Sequence, residues 1–181
     1  MARPSTVVYC ATSLDGFLAR QDGAIDWLPQ PKADDGDWGW ADFMASCDCM
    51  LMGRKTFEQV AGFDCPWPYT QLPVTVLSST LSELPEKLRS EKIAIASGSP
   101  EAALQALASE GKRRCYVDGG QLLQALLAQD AVDELIVTFV PVLIGSGRRL
   151  FGNVPEDLGL DLVGTTTYSG GLLKTFYKRR R

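Results

Sequence analysis

Apolar and polar positions alternate along the chain in two rhythms, one suited to strands and one to helices. Thr6-Val7-Val8-Tyr9-Cys10-Ala11 is a compact apolar run and reads as a buried strand. Residues 12–36, rich in Gly, Asp and Pro, read as a long loop, and loops of that length are uncommon unless functional. Residues 37–45 fit an amphipathic helix that carries Trp38, Trp40 and Phe43. Strands are predicted at 49–53, 73–78 and 93–97. A helix over 100–110 follows, with Ser99 as N-cap, Pro100 in its first turn and Gly111 closing it. Arg114-Cys115-Tyr116-Val117-Asp118 is the next strand, and it runs through Gly119-Gly120 into the apolar helix around 122–127. Glu134 to Val142 is strand-like, and 160–178 alternates across Ser169-Gly170-Gly171 as a β-hairpin. Strands and helices in alternation, closed by a hairpin, predict an α/β fold whose sheet is mostly parallel with an antiparallel edge. With no internal repeat or linker, the 181 residues read as one domain, 1–181.

Composition narrows the possible functions. The formal net charge of −4 argues against nucleic acid as the main partner. The basic end Lys178-Arg179-Arg180-Arg181 is too short to reverse this and reads as solvated. Arg3, Pro4 and Asp15 interrupt any secretory leader, and no apolar stretch is long enough for a membrane, so a cytoplasmic protein is expected. Five cysteines without a C-x-x-C pair read as reduced, mostly buried thiols. The chain has no histidine, which removes Ser-His-Asp and Cys-His catalysis and the commonest zinc ligand. No metal site is expected, and chemistry must come from carboxylates, Tyr, Lys, Cys or a cofactor.

Four segments sit at predicted strand ends, where open α/β sheets bind ligands. Met52-Gly53-Arg54-Lys55-Thr56-Phe57 delivers two cations and a hydroxyl to a helix N-terminus. Such an end favours an anion, with Arg as a planar fork and Lys as a point charge. The segment is not a Walker loop and suits a single phosphate, such as the 2′-phosphate of NADPH; a basic helix start on the surface is the plainer alternative. Leu77-Ser78-Ser79 ends a strand in two hydroxyls that either share that phosphate or cap a turn. Asp118-Gly119-Gly120 lets backbone approach a pyrophosphate, or makes a tight turn. Gly145-Ser146-Gly147, between Pro141 and Arg148-Arg149-Leu150-Phe151, has no hairpin role and is a candidate ligand-facing loop.

Together with Ser13-Leu14-Asp15-Gly16 and Val132-Asp133-Glu134-Leu135, these segments resemble the dihydrofolate-reductase-like family. The strongest likeness is to the reductase domain of bacterial riboflavin-biosynthesis deaminase/reductase proteins and their stand-alone relatives. It spans nearly the whole chain, and Pro-x-x-x-Gly-x-Gly at 141–147 favours the riboflavin-type branch over true folate reductases. The resemblance implies a three-layer α/β fold and an NADPH-dependent reductase. Its substrate would be a ribosylated aminopyrimidine of the 5-amino-6-(5-phosphoribosylamino)uracil type. A folate or pteridine reductase and a non-catalytic nucleotide-binding protein are the alternatives. A homodimer is implied as well. No zinc-deaminase signature occurs, so any activity is reductive.

Carried over residue by residue, the resemblance assigns Arg54, Lys55, Thr56, Ser78 and Ser79 to the 2′-phosphate side of NADPH, and Gly53 and Leu77 to cofactor binding. Gly119 and Gly120 are assigned to its pyrophosphate, and Ala11 to the nicotinamide carboxamide. Leu18 and Trp27 would cover the nicotinamide and a small heterocyclic substrate. Folate reductases carry an acid on the first helix; an ungapped count back from Gly53 reaches Asp37, and a gap would move the role toward Asp42. Asp37 is also placed to be a helix N-cap. Asp15 corresponds to a substrate-orienting acid, or is a turn residue. Trp38, Trp40 and Phe43 either wall a flat heterocycle or fill the core or a dimer interface.

Overall fold

The computed structural model describes residues 3–181. Its central sheet has eight strands in the order β5 (Ile93–Ala96), β4 (Val74–Leu77), β3 (Cys49–Gly53), β6 (Arg114–Asp118), β1 (Ser5–Ser13), β7 (Glu134–Val140), β10 (Leu172–Arg179) and β9 (Leu160–Tyr168). The six strands from β5 to β7 are parallel. The β9–β10 hairpin then adds the antiparallel edge predicted from its alternation. Parallel neighbours need crossovers. These are α2 (Arg54–Ala61) after β3, α3 (Pro100–Ser109) after β5 and α4 (Gly120–Ala128) after β6, while α1 (Trp40–Ala45) precedes β3.

The helices cover both faces, so β3 is apolar throughout rather than alternating: Cys49, Met50, Leu51 and Met52 are all fully buried. Leu51, Leu104, Val117 and Leu126 pack on the α3–α4 face. Phe43, Met50, Phe57 and Tyr116 pack on the α1–α2 face. The α3 start is as predicted, with Pro100 in the first turn and Ser99 Oγ accepting the Ala102 N–H at 3.1 Å. The five cysteines are unpaired; Cys47, Cys49 and Cys115 are buried, and Cys65 is exposed. No helix among the described residues is long and apolar enough to cross a membrane.

Three expectations need correction. The long loop at 12–36 contains a strand, β2 (Phe17–Ala19), which pairs antiparallel with β8 (Arg148–Arg149). Elements this short lie below what periodicity can register. The first helix begins at Trp40, not Asp37, because Trp38 (φ 57°) and Gly39 (φ 79°) are left-handed. Last, the basic end is not simply solvated: Arg179 pairs with Asp130 at 2.6 Å, and Arg181 with Asp133 at 2.5 Å. Asp133 also accepts from Arg3 at 2.5 Å and from the Thr6 N–H at 2.8 Å, tying both chain ends to one carboxylate. Burial opposes its ionisation, but these donors outweigh it and hold the carboxyl well below the usual range.

Candidate functional site

A cleft of about 630 Å³ opens at the C-terminal ends of β1, β3 and β6, a volume typical of small-molecule sites. Two chain crossovers make its phosphate-sized end. Gly53 caps α2 with no side chain in the way, and Gly119 leads into α4 with φ 114°. A β-carbon on Gly119 would lie 2.9 Å from Thr56 Oγ1 and 3.4 Å from the Gly53 nitrogen. Only glycine fits there, and its absent side chain lets two helix N-termini meet. Their first-turn N–H groups lack intrahelical partners, and both dipoles favour an anion. This backbone cradle fits a diphosphate.

The charge lining follows the same logic. The cleft-lining residues include the cations Arg54, Lys55, Arg148 and Arg149 and one acid, Asp118. In a chain of net charge −4, that is a local reversal of sign. A concave basic surface focuses potential and raises the local concentration of anions. Arg54 also pairs with Glu58 one turn along α2, at 2.7 Å.

Asp118 ends β6 beside the cradle and also lines the cleft. Burial pushes its carboxyl up to about 6, against the lowering pull of the Gly119 N–H and of the Tyr116 and Tyr69 hydroxyls. The Tyr116 hydroxyl lies 3.3 Å from Asp118 Oδ2 and 3.2 Å from the Tyr9 carbonyl oxygen. Burial, then the Asp118 charge, pushes both phenols and the Cys10 thiol up, so they are neutral and protonated at pH 7. The cleft floor therefore holds one carboxyl that titrates near neutrality among groups that do not.

The predicted residues divide sharply. Ala11, Leu18, Gly53, Arg54, Lys55, Thr56, Gly119 and Gly120 all line the cleft. Leu77, Ser78 and Ser79 lie at the end of β4, outside its lining. Ser78 Oγ is used as a cap, accepting the Thr80 and Leu81 N–H groups at 3.1 and 2.9 Å. Trp27 is half-buried and outside the lining, whereas its neighbours Ile25 and Leu28 contribute to it.

The predicted acids also lie elsewhere. Asp37 is exposed and accepts the Gly39 and Ala41 N–H groups at 2.9 and 2.7 Å, so it caps α1 rather than facing the cleft. Asp15 accepts from Ser13 Oγ at 2.6 Å and from the Ile144 and Gly145 N–H groups at 3.3 and 2.7 Å; it fastens the 141–147 loop. Asp42 is exposed on α1. Phe43 stacks on Tyr9 at 4.3 Å, and Trp40 meets Tyr116 edge-on at 6.0 Å. These rings fill the space between α1 and the sheet, which is the physical reason that no α1 acid reaches the cleft.

Sequence reasoning missed Asp118 as an acid, Tyr69 and Tyr116 as its partners, and Arg148 and Arg149 as cleft residues. Asp118 and the two arginines stood inside motifs already singled out. The tyrosines gave no signal, since Tyr69 belongs to the irregular stretch between α2 and β4.

Comparison with known proteins identifies the family and the fold. The family model of the RibD C-terminal domain matches residues 4–174. The uncharacterized protein YwjB of Bacillus subtilis (strain 168) is 33% identical over 175 residues, 96% of this chain and 97% of that protein. A crystal structure from Shewanella sp. PV-4, of a protein whose name links it to riboflavin biosynthesis, is 35% identical with a TM-score of 0.91. That likeness covers 98% of this chain and 99% of the other. Dihydrofolate reductase from Enterococcus faecalis, complexed with NADP(H), superimposes with a TM-score of 0.67 at 15% identity. It covers 98% of this chain and 97% of that one, so the fold is dihydrofolate-reductase-like.

Proposed function

Because the chain belongs to the RibD C-terminal domain family, we propose that it is an NADPH-dependent reductase acting on a ribosylated aminopyrimidine of the 5-amino-6-(5-phosphoribosylamino)uracil type. The observation that carries this reading is the glycine-lined junction of the α2 and α4 N-termini, with cations around it. NADPH, when bound, supplies the hydride; the protein supplies orientation and a proton. Gly119 and Gly120 hold the diphosphate, and Arg54 and Lys55 hold the 2′-phosphate. Ala11 presents backbone to the carboxamide, and Leu18 covers the ring.

Asp118, rather than Asp37 or Asp15, holds the proton. Its raised affinity for a proton keeps a useful fraction protonated near neutrality, which is what a general acid needs. The Tyr116 and Tyr69 hydroxyls orient it. A folate-type site would need an acid on the first helix, and α1 turns Trp40 and Phe43 inward instead, so the pyrimidine reading is the better supported.

NADPH oxidation with the ribosylaminopyrimidine and with dihydrofolate as substrates tests the assignment. Turnover with the pyrimidine alone is expected. Turnover with dihydrofolate alone would move the protein to the folate branch. NADPH binding without turnover of either would make it a non-catalytic relative.

A further inference from the structure

We infer that Arg148 and Arg149 form the second half of a diphosphate clasp, gripping from β8 the group that the α2–α4 cradle holds from below. The inference rests on the nucleotide-binding reading of the cleft and adds two binding residues to it.

The backbone of this pair is fixed. A β-carbon on Gly147 would collide with the Ala19 carbonyl oxygen, so only glycine lets β8 lie against β2. Gln124 of α4 donates to the Arg149 carbonyl at 2.8 Å. The next residue, Leu150, is fully buried, and its N–H donates to the Gly16 carbonyl at 2.9 Å. A β-carbon on Gly120 would be 3.6 Å from the Arg149 carbonyl oxygen, which sets β8 directly beside the first turn of α4.

The side chains are cationic and uncommitted. Most arginines of this chain have a carboxylate partner, Arg3, Arg54, Arg114 and Arg179 among them. Arg148 and Arg149 have none within 4.0 Å among the described residues, although both line the cleft and both are exposed. Each guanidinium rests instead on an uncharged surface. That of Arg149 lies over the Phe17 ring at 4.9 Å from its centroid. That of Arg148 lies against Gly23, where a β-carbon would be 2.9 Å from Nη2. Gly23 is in turn tied to α2, because Gln59 donates to its carbonyl at 3.0 Å. Arg148 thus touches the loop after β2, which Gln59 ties to α2.

Two planar forks on a rigid two-residue strand, next to a backbone anion cradle, match the several oxygens of a diphosphate. A lone 2′-phosphate is served by Arg54 and Lys55 on the other helix. A phosphate on the substrate has the same chemistry, and the test separates the two sources.

The experiment measures binding of NADPH, ADP and adenosine 2′-monophosphate to wild type and to the Arg148→Gln, Arg149→Gln double variant, with circular dichroism melting to verify folding. The variant should lose about ten- to a hundredfold in affinity for NADPH and ADP, and little for adenosine 2′-monophosphate. Unchanged affinity for NADPH and ADP overturns the clasp. So does an equal loss for all three, which would mark a diffuse field. A loss confined to KM of a phosphorylated substrate, with NADPH affinity intact, also overturns it and gives the arginines to the substrate. Inorganic pyrophosphate separates the two levels of inference. If wild type ignores NADPH but binds pyrophosphate, and the variant does not, the cofactor reading fails and the clasp stands.

Discussion

At the residue scale, the chemistry turns on a carboxyl whose environment the sequence does not display. Asp118 is adjacent to the glycine pair, yet its proton affinity is set by burial, which raises it against the lowering pull of the Gly119 N–H and of the hydroxyls of Tyr116 on its own strand and of Tyr69 far along the chain. Its folded value, about 6, lies above the ordinary carboxylate value of 3.8. The folded state therefore binds the proton more tightly, and the stability this contributes is complete below the ordinary value and lost as pH rises through about 6. Asp118→Asn removes that loss, so its melting temperature should gain on wild type as pH is raised from 4 to 8, because the variant never buries a charge there. The same variant should lower the hydride-transfer rate by about 10²- to 10⁴-fold. Thermal melts and single-turnover kinetics at several pH values check the two halves, and a fully active variant would remove Asp118 from the chemistry. Wild-type turnover should itself decline as pH rises through about 6, since the acid form is the donor. Arg54 and Lys55, by contrast, were legible because charge at a strand-to-helix junction has few uses. Arg54→Ala should weaken NADPH by about ten- to a hundredfold and NADH far less, read by fluorescence titration. Equal losses would place Arg54 elsewhere on the cofactor.

At the element scale, the strands of the central sheet were legible as compact apolar runs or, in the β9–β10 hairpin, as alternation, and the α3 cap was readable residue by residue. What failed was local geometry. Counting back from Gly53 assumes that the first helix keeps its length, but left-handed Trp38 and Gly39 delay its start. Asp37 becomes a cap for the short α1. The Ala41 and Gly39 N–H groups lower its proton affinity, so the capping it provides is present above the ordinary carboxylate value and lost as pH falls through the depressed one. Asp37→Ala should therefore lower the melting temperature at pH 7 while NADPH affinity and the hydride-transfer rate stay at wild-type values. A collapse of turnover in a folded Asp37→Ala protein would restore the helix acid as proton donor. The β2–β8 pair was illegible for a different reason. Its strands are three and two residues long, and what brings them together is Gly147, whose significance appears only when Ala19 is seen against it.

At the scale of the whole molecule, the sheet is covered unevenly. Helices shield β3, β6 and β1, but β9 is an edge strand on the far side of β10, with Leu162 and Val163 each more than half exposed. Leu173 of β10 is also exposed, as is Leu143 in the loop after β7. A long edge strand with apolar side chains is normally blunted by charge, bulge or cover. Here a bulge lies on the β9–β10 pair near Phe176, yet β9 still offers Leu162 and Val163 to solvent. Burying such a patch against a second copy would remove apolar surface from water at roughly 25 cal/mol per Å². We therefore expect a homodimer formed through the β9–β10 edge, with the clefts left free because they open at the ends of β1, β3 and β6. Light scattering at micromolar concentration should report twice the chain mass. Leu162→Lys with Val163→Lys should give a folded monomer, since both side chains are exposed in the isolated chain. A wild-type monomer would refute the dimer. A double variant that stays dimeric would move the interface to another face.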